Sequence, residues 1–303
     1  MRGHGEHGHK HDHAQHAPAA GDRRYSIAIA LNLGFVAIEG LSGFIANSTA
    51  LLSDAAHNLS DVLGLALAGF ATWLAQRAAS QQRTYGFAKA SVLAALANAL
   101  VLVGASGAIL WEALQRLAAP EATQPFLVMV VASIGVIING ATALLFVAGR
   151  KHDVNVRGAF LHMAADAGVS AAVILAGLAI WLTGFTWIDP AISIMVVALI
   201  LWTTWGLLRE SLDLALDSAP SHIDVAAVRD VLAAQPGVAA VHDLHVWAMG
   251  ATEPALTAHL VRPEGADDAF LAAASEAIAE RFGILHVTLQ VERARRGDCA
   301  ECD

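Results

Sequence analysis

The chain has 303 residues, 56% of them hydrophobic and only 15% charged, with a mean hydropathy of +0.54. Soluble domains carry about 25% charged residues, so this balance points to a chain embedded in a lipid bilayer. A formal net charge of −9 argues against a nucleic-acid partner, and two cysteines, both within the last five residues, exclude a disulfide framework.

Residues 1–22 form a hydrophilic tail with six histidines between His4 and His16. The interleaved Gly, Glu, Lys, Asp and Gln differ from a simple polyhistidine tag, and the tail is expected to be disordered and to collect metal weakly. Six apolar stretches follow, each near the ~20 residues that a helix needs to cross ~30 Å of hydrocarbon. They run from Tyr25 to Ile45, Thr49 to Leu74, Ala90 to Leu114, Phe126 to Ala148, Val154 to Leu182 and Ile188 to Leu208. Arg23 and Arg24, then Arg77, Arg83 and Lys89, then Arg150, Lys151 and Arg157, and finally Arg209 fall in alternate connections, all on one side of the spans, and the other connections carry almost none apart from Arg116. Positive charge stays on the cytoplasmic side, so both termini are expected in the cytoplasm. No secretory signal precedes the first span, which suits a bacterial inner membrane. Trp111, Trp181 and Trp187 fall at the expected outer ends, as interfacial anchors do.

After Pro220 the pattern changes. Ile223 to Ala234 reads as an amphipathic helix, and Val238 to Ala248 and Ala255 to Val261 as strands. Ala266 to Phe282 reads as a second helix and His286 to Glu292 as a third strand. The order αββαβ suits a small α+β domain with helices on one face of a sheet. The expected organisation is a tail (1–22), an all-α six-helix transmembrane bundle (23–210) and a cytoplasmic domain (211–303).

The chemistry lies in two spans. LLSDAAHNLSDVLGLALA contains His57 and Asp61, and GAFLHMAADAGVSAAV contains His162 and Asp166. Residues i and i+4 share a helix face, so each pair can offer an imidazole and a carboxylate to one point. Both histidines lie about eight residues from the nearer span end, or ~12 Å deep at 1.5 Å per residue. A single buried His–Asp pair is usually a structural hydrogen bond. Two copies at matched depth point instead to a midplane His2Asp2 site, which suits tetrahedral zinc. Two carboxylates balance a divalent ion, and imidazoles can take protons instead of metal. Asp54 could line an aqueous entry, and Asn32, Glu39, Asn98 and Asn139 could hydrate a cavity or join helices, the asparagines preferentially the latter. Asp189-Pro190 reads as a helix start without a functional role. H-E-x-x-H is absent, no nucleophile constellation is present, and no enzyme activity is expected.

EGLSGFIANSTALLSDAAHNLSDVLGLALA, HMAADAGVS, WIDPAISIMVV and VHDLHVWAMG together resemble the cation diffusion facilitator family of zinc-type proton antiporters. The resemblance implies a six-span bundle, a ferredoxin-like cytoplasmic domain, a homodimer joined largely through those domains, and alternating access with protons as counter-ion. It matches His57, Asp61, His162 and Asp166 to the family's transport ligands, and the His-x3-Asp form of the second span to its zinc-preferring branch. Cd2+ or Co2+ as main cargo stays open. It also implies a regulatory Zn2+ site at His242, His259 and Glu292, and Cys299 and Cys302 resemble a C-x-x-C of some animal members. By strand parity His286 shares a face with Glu292 and could join it, whereas His245, three residues from His242, falls on the opposite face. The competing function is a non-transporting membrane metal sensor.

Overall fold

A computed structural model describes residues 23–147, 154–250 and 253–295. The His-rich tail, Cys299 and Cys302 lie outside them. Six long helices come first: α1 (Arg23–Ile45), α2 (Thr49–Ala75), α3 (Ala90–Ala118), α4 (Pro125–Phe146), α5 (Val154–Thr183) and α6 (Ile188–Ala215). Five stretches are long and apolar enough to cross a membrane by length and composition: Thr49–Ala75, Ala90–Ala118, Pro125–Leu144, Phe160–Thr183 and Ile188–Ala215. In α1 the described apolar stretch is Asn32–Ile45. α6 continues about two turns beyond its expected end at Leu208. Large apolar side chains cover the outside of the bundle, among them Phe44, Phe126, Ile137, Leu144 and Trp202. In water such a surface would drive association; in hydrocarbon it is neutral. Trp111, Trp181 and Trp187 are exposed, and so are Trp202 and Trp205 in the second half of α6.

The packing brings the two motif helices together. α2 lies against α1, α3 and α6 and meets α5 along a short stretch, while α4 runs along α5. Small residues permit these crossings. A Cβ on Gly177 of α5 would stand 2.8 Å from Met129 Cγ of α4, and one on Gly135 of α4 would stand 2.9 Å from both Phe35 Cζ and Ser170 Oγ.

Asp189 has a role that its helix-start reading did not assign. It is buried at the first turn of α6, yet it serves the N-terminus of α2. Its carboxyl accepts hydrogen bonds from the Ser48 hydroxyl, the Thr49 amide at 2.7 Å and the Thr49 hydroxyl at 2.9 Å. Ser48 Oγ in turn accepts from Leu51 N at 3.2 Å, as an N-cap does. Four helix-terminal amides lack intrahelical partners, and here another helix supplies part of the acceptor set.

The C-terminal domain contains α7 (Val225–Ala233), β1 (Ala240–Ala248), β2 (Pro254–Val261), α8 (Asp268–Phe282) and β3 (His286–Glu292), the expected αββαβ order. Asp224 caps α7 through the amides of Ala226 and Ala227, and Asp267 caps α8 through Phe270 N. Gly283 ends α8 at φ 70°, the left-handed conformation that glycine adopts freely. The sheet order is β1-β2-β3, antiparallel then parallel. Val228, Leu232, Val246, Leu256, Leu260, Phe270 and Ile278 fill the core between the helices and one face of the sheet.

The loop between α2 and α3 touches this domain. Lys89 pairs with Asp217, Tyr85 meets the ring of His286 edge-on at 6.2 Å, and a Cβ on Gly250 would collide with the Ala88 carbonyl.

Candidate metal centres

On α2, His57 and Asp61 are one turn apart, and on α5 so are His162 and Asp166. The helices cross so that the four side chains alternate in a ring. His57 Nε2 lies 3.3 Å from Asp166 Oδ1 and 3.9 Å from Asp61 Oδ2; His162 Nε2 lies 3.3 Å from Asp61 Oδ2 and 3.7 Å from Asp166 Oδ2. The two rings stand edge to face with centroids 6.1 Å apart. Donor atoms of His57, Asp61 and Asp166 all fall within 4.8 Å of one another. A tetrahedral ion with ligands at ~2.0–2.1 Å has donor–donor edges of about 3.3–3.4 Å. Two of the four cross-ring distances match that edge, and the other two exceed it by a few tenths of an ångström. Asp61 Oδ2 and His57 Nδ1 are buried without a hydrogen-bond partner. A carboxylate oxygen shut off from water, with only the Nε2 atoms of His162 and His57 at 3.3 and 3.9 Å around it, fits a cation held between them.

Access to this ring is one-sided. Along α2, side-chain exposure falls from 30% at Asp61 to 18% at His57, and Asp54 one turn further is fully buried. Along α5 it falls from 44% at His162 to 3% at Asp166, and Ser170 is again fully buried. Both gradients run the same way: the ring opens toward the end of the bundle that carries the C-terminal domain and closes at the other. A cavity of ≈ 300 Å³ touches the ring and extends along α6 to Thr204 and Leu207. A second, of ≈ 310 Å³, is lined by Asn32, Asn98 and Asn139. The asparagines therefore border cavities more than they join helices, and Asn98 Oδ1 and Asn139 Nδ2 have no hydrogen-bond partner among the described residues. Asp54 lies on the closed side and is fully buried.

A second cluster sits on the sheet face away from α7 and α8. His242, His259 and Glu292 offer donor atoms within 4.8 Å of one another. His242 Nε2 is 3.2 Å from Glu292 Oε2, and His259 Nδ1 is 3.5 Å from Glu292 Oε1. Gln290 Nε2 donates to Glu292 at 2.8 Å and, with His242 and His259, holds its carboxyl below the usual carboxylate range. His286 does not join them. It pairs with Ala255, whereas Glu292 pairs with Val261 six residues along β3, ~20 Å away at 3.3 Å per residue. Strand parity placed His286 on the right face but said nothing of distance along it.

The expectation for His245 is also overturned. The register slips between His242 and His245, with Asp243 at φ 52°. His242 and His245 lie opposite His259 and Thr257, which are two residues apart and share a face. The bulge therefore returns His245 to the face of His242. Asp243 now bridges the cluster: one oxygen lies 2.8 Å from His245 Nε2 and the other 3.4 Å from His259 Nε2. Sequence reasoning missed Asp243; its only signal is its place between two cluster histidines.

Residues 26–214 match the cation efflux transmembrane domain, and residues 220–294 match the cation efflux protein cytoplasmic domain. The chain is 37% identical over 298 residues to a cation efflux system protein CzcD of Alcaligenes sp. (strain CT14), covering 98% of this chain and 92% of that one. It is 33% identical over 296 residues to a cadmium, cobalt and zinc/H(+)-K(+) antiporter of Bacillus velezensis, covering 95% and 92%. It is 34% identical over 289 residues to the zinc transporter ZitB of Escherichia coli (strain K12), covering 94% and 92%. With both domain types in one chain and similarity along nearly all of it, this multi-pass membrane protein belongs to the cation diffusion facilitator family.

Proposed function

We propose that the chain exports divalent metal, zinc first and Cd2+ or Co2+ as lesser cargo, in exchange for protons, through the ring of His57, Asp61, His162 and Asp166. The alternation of imidazole and carboxylate at 3.3–3.9 Å across two helices carries this reading. Two carboxylates neutralise a divalent cargo ion, and neutral imidazoles supply its remaining donors. Without cargo, a cluster in so dry a setting takes protons, so metal and protons compete for the same lone pairs. α1 forms the sixth span, both termini face the cytoplasm of a bacterial cell, and the chain works as a homodimer. In that orientation the one-sided access is inward-facing: cargo enters from the C-terminal-domain end, and the closed end must open for release. His57 and Asp61 ride on α2, and His162 and Asp166 on α5, so a small shift between the two helices breaks the ring and lowers affinity on the outward side. Relatives named as zinc transporter and as zinc/H(+) antiporter support cargo and counter-ion.

The domain after Pro220, which we take to be ferredoxin-like, binds regulatory Zn2+ at His242, His259 and Glu292. Asp243 accepts the Nε2 proton of His259 and so leaves Nδ1 as the lone pair for metal, as carboxylates behind metal-bound histidines do. The His-rich tail gathers zinc on the loading side. Reconstituted into vesicles, the purified chain should move zinc when a pH gradient is imposed, and His57→Ala with Asp166→Ala should abolish that movement. Flux indifferent to the pH gradient, or surviving the double substitution, would refute the mechanism. Zinc binding with no flux in either condition would favour the sensor.

A further inference from the structure

One turn beyond the metal ring, on its closed side, lie two carboxyl groups that the ring does not use. Glu39 of α1 and Asp54 of α2 are both fully buried, and their carboxyls face each other at hydrogen-bonding range. Each has one partnered oxygen. Glu39 Oε2 accepts from Asn58 Nδ2 at 3.0 Å, and Asp54 Oδ2 accepts from Ser170 Oγ at 2.8 Å. The remaining two oxygens, Glu39 Oε1 and Asp54 Oδ1, are shut off from solvent and have no donor. An ionised carboxylate is acceptor-only, so two of them facing each other leave both oxygens unsatisfied and two like charges in contact.

The surroundings do not relieve this. α1 and α2 carry no Lys or Arg between Arg24 and Arg77, and α4 carries no charged residue at all. The charged or titratable groups facing the pair are His57 on α2 and Asp166 on α5, one of either sign at most, and both belong to the ring. With no Lys or Arg beside them among the described residues, and His57 set against Asp166, what satisfies two orphaned carboxylate oxygens is a proton between them.

We propose that Glu39 and Asp54 hold one proton between their facing oxygens and serve as the proton station on the closed side of the metal ring. Its place suits that task. Asp54 lies three residues, ~4.5 Å of helix rise, before His57. Asn58 ties Glu39 to the turn of α2 that follows His57, and Ser170 ties Asp54 to the turn of α5 that follows Asp166. Any opening of the closed end must uncover the pair before the ring, so protons arriving from that side meet it first. When a divalent ion fills the ring, its field favours the ionised pair and releases the held proton. When the ion leaves, the pair takes a proton back. The coupling rests on the proposed transport reading; the held proton does not.

The test uses the full chain purified in detergent, with Glu39→Gln and Asp54→Asn, each keeping the shape of the pair. Infrared spectra of the metal-free protein should show the carbonyl band of a buried protonated carboxyl, shifted by exchange into D2O, that both variants lose. Adding Zn2+ in weak buffer should release one proton fewer per ion from Glu39→Gln than from the unaltered chain, with Zn2+ affinity retained. A carboxyl band unchanged in both variants would overturn the held proton. A lost band with unchanged proton release would overturn the coupling. If Asp54→Asn does not fold, Glu39→Gln decides alone. Should the unaltered chain bind no Zn2+ at the ring, the transport reading fails while the infrared comparison still stands.

Discussion

Removing the carboxyl of Asp189 should loosen the helix that carries half of the proposed metal ring. In Asp189→Ala the Ser48 hydroxyl, the Thr49 amide and the Thr49 hydroxyl lose their acceptor in a buried setting. A buried donor left unsatisfied costs about 1–3 kcal/mol, so three cost about 3–9 kcal/mol. The two hydroxyls can turn toward other acceptors, as Ser53 and Ser193 do toward the Thr49 carbonyl, which places the expected loss near 3–5 kcal/mol, a range typical of breaking a buried polar network. For a bundle of this size, each kcal/mol moves the melting temperature by about 2–4 °C, giving a fall of roughly 6–20 °C. The assay is thermal unfolding of the detergent-solubilised chain, followed by Zn2+ titration at a temperature where both forms are folded. His57 lies eight residues, ~12 Å, from Thr49 along α2, so Zn2+ affinity should fall as well, because fraying of the first turns lets both α2 ligands drift. Asp189→Asn keeps one acceptor oxygen and should fall between. A melting temperature within about 2 °C of the unaltered chain for Asp189→Ala would show that α2 is anchored elsewhere and refute the reasoning.

Zn2+ affinity at the proposed ring should fall steadily as pH drops, since metal binds only the neutral imidazoles of His57 and His162; an affinity flat between pH 8 and 5.5, measured by competition with a chelating dye, would exclude imidazole ligation. Asp243→Ala should weaken Zn2+ binding at the proposed cluster of the C-terminal domain about 10–100-fold without touching a proposed ligand, detectable by calorimetry on a His57→Ala chain that isolates that cluster; unchanged affinity would deny Asp243 its positioning role. The Glu292 carboxyl is held below its ordinary 4.5 by Gln290 first, then by His242 and His259. A depressed carboxylate stabilises the fold above the unfolded value and loses that contribution as pH falls through the folded one. Acid titration of the metal-free chain below pH 4.5 should therefore be shallower in Glu292→Gln, and identical profiles would contradict the assignment.

Helix existence and extent were legible because a bilayer permits few solutions: backbone groups must be satisfied within the helix, so each span announces itself as an apolar run. The i, i+4 spacing likewise made His57 with Asp61, and His162 with Asp166, readable as pairs, since helical periodicity alone sets which residues share a face. Helical periodicity over Ile223 to Ala234 and Ala266 to Phe282, and alternation over Val238 to Ala248, Ala255 to Val261 and His286 to Glu292, placed the soluble elements to within a few residues.

What only the tertiary structure decided is which faces meet. Matched depth put the two pairs at one level, but periodicity does not fix that α2 and α5 face each other there, because helix contacts in lipid depend on small residues such as Gly135 and Gly177 and on shape. The same holds for Asp189, whose partners at Ser48 and Thr49 are about 140 residues away, and for the burial of Glu39 against Asp54. In the soluble domain one extra residue at Asp243 reversed a parity argument that a regular strand would have upheld, and length along β3 removed His286 from a site its face had suggested. Local periodicity determines a side chain's direction on its own element; the distance between side chains on different elements is a property of packing, and at both candidate metal clusters that distance is what brings the donors together.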